Sequence, residues 1–155
     1  VFIRPDSGNK TFTGSVWPKE DIDRELNQMV QCYNVPLDTT LCIISSPKVI
    51  QSEWRLVIVN KKAVSGSQYR VMGEYKCSSG YPKEALDFAN KIASEDWQPD
   101  RAYVVDVAKC DDEYKLLEIN SFSCSGLYYS DMEPIVRELS KIALEEWMEY
   151  NNAND

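Results

Sequence analysis

Ala102-Tyr103-Val104-Val105-Asp106-Val107-Ala108 and, after a short polar link, Tyr114-Lys115-Leu116-Leu117-Glu118-Ile119-Asn120 constrain the fold more than any other part of the chain. Both runs have strand composition, and Lys109-Cys110-Asp111-Asp112-Glu113 between them reads as a turn, so together they predict an antiparallel hairpin. Strict alternation puts Tyr114, Leu116, Glu118 and Asn120 on one face and Lys115, Leu117 and Ile119 on the other. Centred on Asp112, the hairpin sets Asp106 opposite Glu118, with Cβ atoms about 4.5–5.5 Å apart, where like charges repel. A hard divalent cation relieves that repulsion, because magnesium takes oxygen ligands and fills its shell with phosphates and water. Asp106, Glu118 and the Asn120 amide oxygen are therefore the candidate metal ligands. The bland reading is a solvated sheet face on which both carboxylates are hydrated. A register one residue off turns Asp106 to the opposite face.

Composition removes several chemistries. There is no histidine, which excludes Ser-His-Asp and Cys-His catalysis and argues against a zinc enzyme. A net charge of −8 argues against general binding to nucleic acid or to anionic membrane. Five cysteines, odd in number and without a CxxC, suit reduced thiols in a cytoplasmic protein better than a disulfide framework. No apolar run reaches membrane-spanning length. At 155 residues and 43 % apolar, the chain is expected to form one domain over residues 1–155. Because it opens on Val1 inside an apolar run, an N-terminal portion is expected to precede it.

Elsewhere the pattern alternates strands and helices. Val1-Phe2-Ile3-Arg4 reads as a strand, Pro5 to Lys10 as a loop able to curl over phosphates, and Thr11 to Trp17 as a returning strand. Ile22, Leu26, Met29 and Tyr33 form a helical stripe expected in a core. Leu41 to Ser45 is an apolar strand ended by Ser46-Pro47. Trp54 to Val59 and Ala63 to Arg70, around Asn60-Lys61, form a second hairpin. On it Arg55 shares a face with Val57 and Val59, so it either snorkels at a sheet edge or is aimed at an anion, with Arg70 near its root. Helices are expected from Gly80–Pro82 to about Ser94 and from Pro134 to about Tyr150. The second has Ser130 and Glu133 at capping-box spacing and a stripe of Ile135, Leu139, Ile142 and Trp147. Cys124 has no base partner in sight and reads as loop filler.

Taken in order, Arg4-Pro5 with its loop, Ser46-Pro47-Lys48 leading to Glu53-Trp54-Arg55, the Asp106 strand and Glu118-Ile119-Asn120 resemble the ATP-grasp fold, and within it the clade named for one arginine and two lysines. The resemblance implies an α+β fold, ATP-grasp-like, with antiparallel sheets, packed helices and sheets that clasp ATP. It implies that Arg4, Lys10, Lys48 and Glu53 bind the nucleotide, and that Asp106, Glu118 and Asn120 hold magnesium. It also implies that Arg55 and Arg70 serve the transferred phosphoryl and the acyl group as catalytic residues. The implied activity is an ATP- and Mg-dependent carboxylate–amine or carboxylate–thiol ligase working through an acyl phosphate. Its partners are then ATP and a carboxylate substrate, small or carried on a peptide or protein. Such chemistry needs positioning and charge neutralisation more than a protein nucleophile, so the absence of histidine is no obstacle. The alternatives are an ATP-binding or protein-interaction domain that kept the clasp without catalysis, and a kinase-like phosphotransferase.

Overall fold

A computed structural model describes residues 1–7 and 11–153. The chain divides into two compact units, Val1–Lys48 and Val49–Asp155.

The first unit is a three-stranded antiparallel sheet with one helix. Strands β1 (Phe2–Pro5), β2 (Ser15–Val16) and β3 (Cys42–Ser45) lie in the order β2-β1-β3. A 3-10 turn at Lys19–Asp21 leads into helix α1 (Ile22–Tyr33), which ends where Asn34 takes a left-handed conformation and its N–H reaches back to the Met29 and Val30 carbonyls. The core is Ile3, Phe12, Trp17, Met29 and Val35, with Ile22 and Leu26 against it. Two expectations need correcting. The returning strand expected from Thr11 shrinks to Ser15–Val16, and Tyr33, the last residue of α1, is exposed.

In the second unit a five-stranded antiparallel sheet runs β6-β5-β4-β7-β8. Its strands are β4 (Ile50–Val59), β5 (Lys62–Val71), β6 (Glu74–Ser79), β7 (Ala102–Cys110) and β8 (Glu113–Ser121). Both residues of the β4–β5 turn, Asn60 and Lys61, have positive φ (47° and 62°), the conformation that matches the twist of a two-residue hairpin. Helix α2 (Lys83–Ala93) covers one face, where Ala85, Ala89 and Ala93 let it lie close on Trp54, Leu56, Ile58, Tyr103, Val105 and Val107. Helix α3 (Met132–Asn152) covers part of the other face, with Ile135 and Ile142 on Val57, Val59 and Val104. Among the described residues this is an α+β architecture of antiparallel sheets and three α-helices.

Alternation places Glu53 and Arg55 of β4 and Asp106 of β7 on the α3 face, and bulges decide what joins them. The β7–β8 turn is Asp111-Asp112, since Cys110 pairs with Glu113. That register alone would set Asp106 against Leu117. A bulge between the pairs Asp106/Glu118 and Val107/Leu116 inserts Leu117 and brings Glu118 opposite Asp106. The expected pairing is present, but the expected common face of Tyr114, Leu116, Glu118 and Asn120 is not. Tyr114 and Leu116 lie on the α2 face with Ile119, whereas Glu118 and Asn120 lie with Asp106. In β4–β5 two bulges, with Tyr69 and Val64 as the extra residues, cancel in parity and leave Arg70 opposite Glu53.

Other differences are local. The cap of α3 is Asp131, whose side chain accepts from the Glu133 N–H at 3.1 Å, and not Ser130. Ser130 Oγ instead lies 3.4 Å from Ser67 Oγ. Trp147, expected in the core stripe, is exposed.

Gly66 faces Leu56 across the β4–β5 pair, and a Cβ built there would meet the Arg55 carbonyl oxygen at 2.6 Å. That atom is backbone inside a central strand and cannot swing aside. Gly66→Ala is therefore expected to cost about 1–3 kcal/mol by overpacking. Urea denaturation measures it, and an unchanged midpoint would refute the close approach.

Candidate functional site

Three rows of residues cross the α3 face of the five-stranded sheet. The middle row is Ser67, Arg55, Asp106 and Glu118; one neighbouring row is Ser65, Val57, Val104 and Asn120; the other is Arg70, Glu53, Ala108 and Lys115. The structure thus gathers Glu53, Arg55, Arg70, Asp106, Glu118 and Asn120 on one face of one sheet. Arg4 and Lys48 belong to the first unit. Arg4 is an exposed residue of β1 whose Nη1 donates to the Pro5 carbonyl at 3.3 Å, and the Lys48 ammonium donates to Ser46 Oγ at 2.7 Å. Lys10 lies outside the described residues.

Arg55 and Asp106 form the centre. β4 is the middle strand of five, so the reading of Arg55 as an edge residue fails. Its fork grips the carboxylate with both prongs: Nε donates to Oδ1 and Nη2 to Oδ2, each at 2.7 Å. Nη1 donates to the Gly126 carbonyl at 3.1 Å. The side chains are only 11 % and 4 % exposed, so the pair is buried and its geometry carries its stability. The Asp106 hydrogen bonds raise the pKa of the guanidinium against the opposing effect of burial. Contrary to the expectation from sequence, Asp106 is already neutralised by a cationic side chain, so facing Glu118 does not by itself require a metal.

Two tyrosines complete the cluster, and the sequence reading missed both. Tyr69 and Tyr128 stack with ring centroids 5.0 Å apart and planes 10° from parallel. The Arg55 guanidinium carbon lies 5.8 Å from the first ring centroid and 5.2 Å from the second, within cation–π range. The Tyr69 hydroxyl donates to the buried Glu53 carboxylate at 2.5 Å, and Glu53 also meets Arg70 Nη1 at 4.0 Å. Burial, followed by the nearby Asp106 charge, raises the Tyr69 pKa strongly, so it stays a neutral donor. Tyr128 is carried by the segment before α3, which is pinned to β5 where Ser65 Oγ donates to the Asp131 carbonyl at 2.8 Å and Ser67 Oγ to the Leu127 carbonyl at 3.4 Å. A usable signal was present in the sequence: Arg55 and Asp106 are lone charges inside two apolar strands, and buried charges seek opposite partners. Nothing comparable marked the tyrosines.

The oxygens of Asp106, Glu118 and Asn120 are hard donors of the kind magnesium takes. Among the described residues no three acidic or thiol side chains converge, so a cation here must use the Asn120 amide oxygen or ligands from its substrate. Ionised Asp106 offers about four lone-pair directions, of which the Arg55 fork uses two. The donor set therefore fits a hard divalent ion in chemical type, with Arg55 in competition for its most buried member.

Solved ATP-grasp and D-alanine–D-alanine ligases share this architecture. The D-alanine–D-alanine ligase of Bacillus anthracis, solved as a complex with ATP, matches at a TM-score of 0.57 and 18 % identity, over 94 % of this chain and 54 % of that one. The ATP-grasp ligase PsnB, solved with a minimal precursor, matches at 0.51 and 13 % identity, over 90 % of this chain and 46 % of that one. At such identities the likeness establishes the fold, and the chain spans about half the length of these solved proteins. No curated protein matches it. No helix among the described residues is long and apolar enough to cross a membrane. A family model for the ATP-grasp domain, family 2 of the clade named for one arginine and two lysines, matches residues 1–137, and the chain belongs to that family.

Proposed function

We propose that the chain is the nucleotide-binding body of an ATP- and Mg-dependent ligase that joins a carboxylate to an amine or thiol through an acyl phosphate. The single observation that carries this reading is the row Arg55–Asp106–Glu118, flanked by Asn120 and Arg70, on one face of an ATP-grasp sheet. Magnesium, held by Asp106, Glu118 and Asn120, would supply charge neutralisation on the phosphates. Arg55 and Arg70 then act on the transferred phosphoryl and the acyl carboxylate, anions that accept two hydrogen bonds from one planar fork. Glu53, fixed by the Tyr69 hydroxyl, orients Arg70 and contributes on the nucleotide side. Arg4, Lys10 and Lys48 supply the remaining positive charge to the nucleotide. Reaction by positioning and electrostatics suits a chain without histidine. The substrate is a carboxylate, free or on a peptide.

Glu118→Gln tests this reading with little risk to the fold, since Glu118 is exposed and the change nearly isosteric. Removing one of two facing charges should leave thermal stability equal or slightly higher. The affinity for Mg-bound ATP analogue should fall about tenfold or more, as expected for loss of a charged ligand. Unchanged magnesium-dependent affinity in both Glu118→Gln and Asp106→Asn would move the site elsewhere.

A further inference from the structure

Resting on the cation-dependent reading above, we propose that Arg55 is a built-in stand-in for the divalent cation at Asp106, so that cation entry and release of the Arg55 fork are one exchange. Without a cation, Asp106 would be a carboxylate 3 % exposed with Glu118 across from it. The Arg55 fork removes that cost by occupying both Asp106 oxygens. A divalent ion arriving between Asp106 and Glu118 meets a positive charge already seated on one of its two carboxylates. Both are not held at full strength at once, because the ion repels the guanidinium and draws on the same oxygens.

Arg55 has a second hold that does not depend on Asp106. The Gly126 carbonyl accepts from Nη1, and the stacked rings of Tyr69 and Tyr128 lie against the guanidinium. Tyr69 belongs to β5 itself, and the segment carrying Gly126 and Tyr128 is fastened to β5 through Ser65 and Ser67. A displaced guanidinium therefore pivots on this berth and does not leave the site. The freed Nε and Nη2 donors then face a new acceptor, and a fork of that shape selects a planar or trigonal oxyanion such as a carboxylate or a phosphoryl group. The device makes the arginine available to an anionic substrate only after the cation has arrived.

The test uses the full chain and Mn2+ alone, with free ion read by electron paramagnetic resonance, on wild type, Arg55→Lys and Arg55→Met. Removal of the competitor should tighten Mn2+ binding at least tenfold in Arg55→Met, with Arg55→Lys between that variant and wild type. If Arg55→Met folds only when the ion is present, its ion-dependent thermal shift should exceed that of wild type. Wild type supplies an independent readout: the Arg55 Nε–H signal in nitrogen-15 NMR, identified by its loss in Arg55→Lys, should shift and exchange faster as Mg2+ is added. Equal or weaker Mn2+ affinity in Arg55→Met, no Mn2+ binding by any of the three proteins, or an unmoved Nε–H signal under saturating Mg2+ would each overturn the exchange. Nucleotide binding with an unmoved Arg55 signal would leave the ligase reading standing and remove the exchange alone. Exchange without any nucleotide binding would do the reverse.

Discussion

Asp106→Ala is expected to lower the unfolding free energy by about 3–5 kcal/mol, because it leaves the Arg55 guanidinium buried without its counter-charge. The magnitude follows from burial, as both side chains are nearly out of solvent and the two 2.7 Å hydrogen bonds are lost together. Arg55→Met should cost a similar amount for the mirror-image reason. The double variant Arg55→Met/Asp106→Leu should recover most of the loss, since replacing a buried ion pair by apolar groups of similar volume is often neutral. Denaturant unfolding of wild type, Arg55→Met, Asp106→Leu and the double variant forms a double-mutant cycle, in which strong coupling is expected. Additive losses would mean that the two residues are stabilised independently, against the bidentate geometry.

The second large effect is catalytic. Arg55→Lys keeps the charge but replaces a planar fork with a point charge on a flexible stem. Nucleotide affinity should stay within about threefold of wild type, while the single-turnover rate with an accepted carboxylate should fall by roughly a hundredfold, a size typical for loss of one oriented oxyanion donor. Loss in the chemical step without loss in binding marks an interaction made in the transition state. Rapid-quench measurement of ADP formation separates the two quantities. A variant with wild-type turnover would make Arg55 a purely structural partner of Asp106.

The parts legible in the sequence were those governed by local rules. The Asn60-Lys61 turn, the opposite facing of Trp54 and Arg55, and the helices that became α2 and α3 follow from turn chemistry and periodicity. Bulges follow no such rule. Leu117 looks like any other strand residue, yet its insertion brings Glu118 opposite Asp106 and separates it from the face of Leu116. Pairing between distant strands was equally hidden. Placing β4 beside β7 joins Arg55 to Asp106 across 51 residues, and no local pattern records that neighbour. Strand β6 was missed because Glu74 to Ser79 is short, mostly exposed and polar, so burial leaves no alternation in it. Tyr128 gains its role from a loop whose Leu127 and Asp131 carbonyls are held by Ser67 and Ser65 of β5, distant partners that no local pattern records. For Ser130, capping-box spacing was right in kind and one residue out, because Asp131 caps through its own carboxylate and frees the serine to face Ser67.

The most direct test of the central claim is calorimetric titration of the wild-type chain with a non-hydrolysable ATP analogue, once in millimolar magnesium and once with the metal chelated. A clasp that presents Asp106, Glu118 and Asn120 to a hard cation should bind the analogue saturably with magnesium and lose at least tenfold in affinity without it. A well-folded sample that binds no nucleotide in millimolar magnesium, or binds it equally in both conditions, would contradict the account.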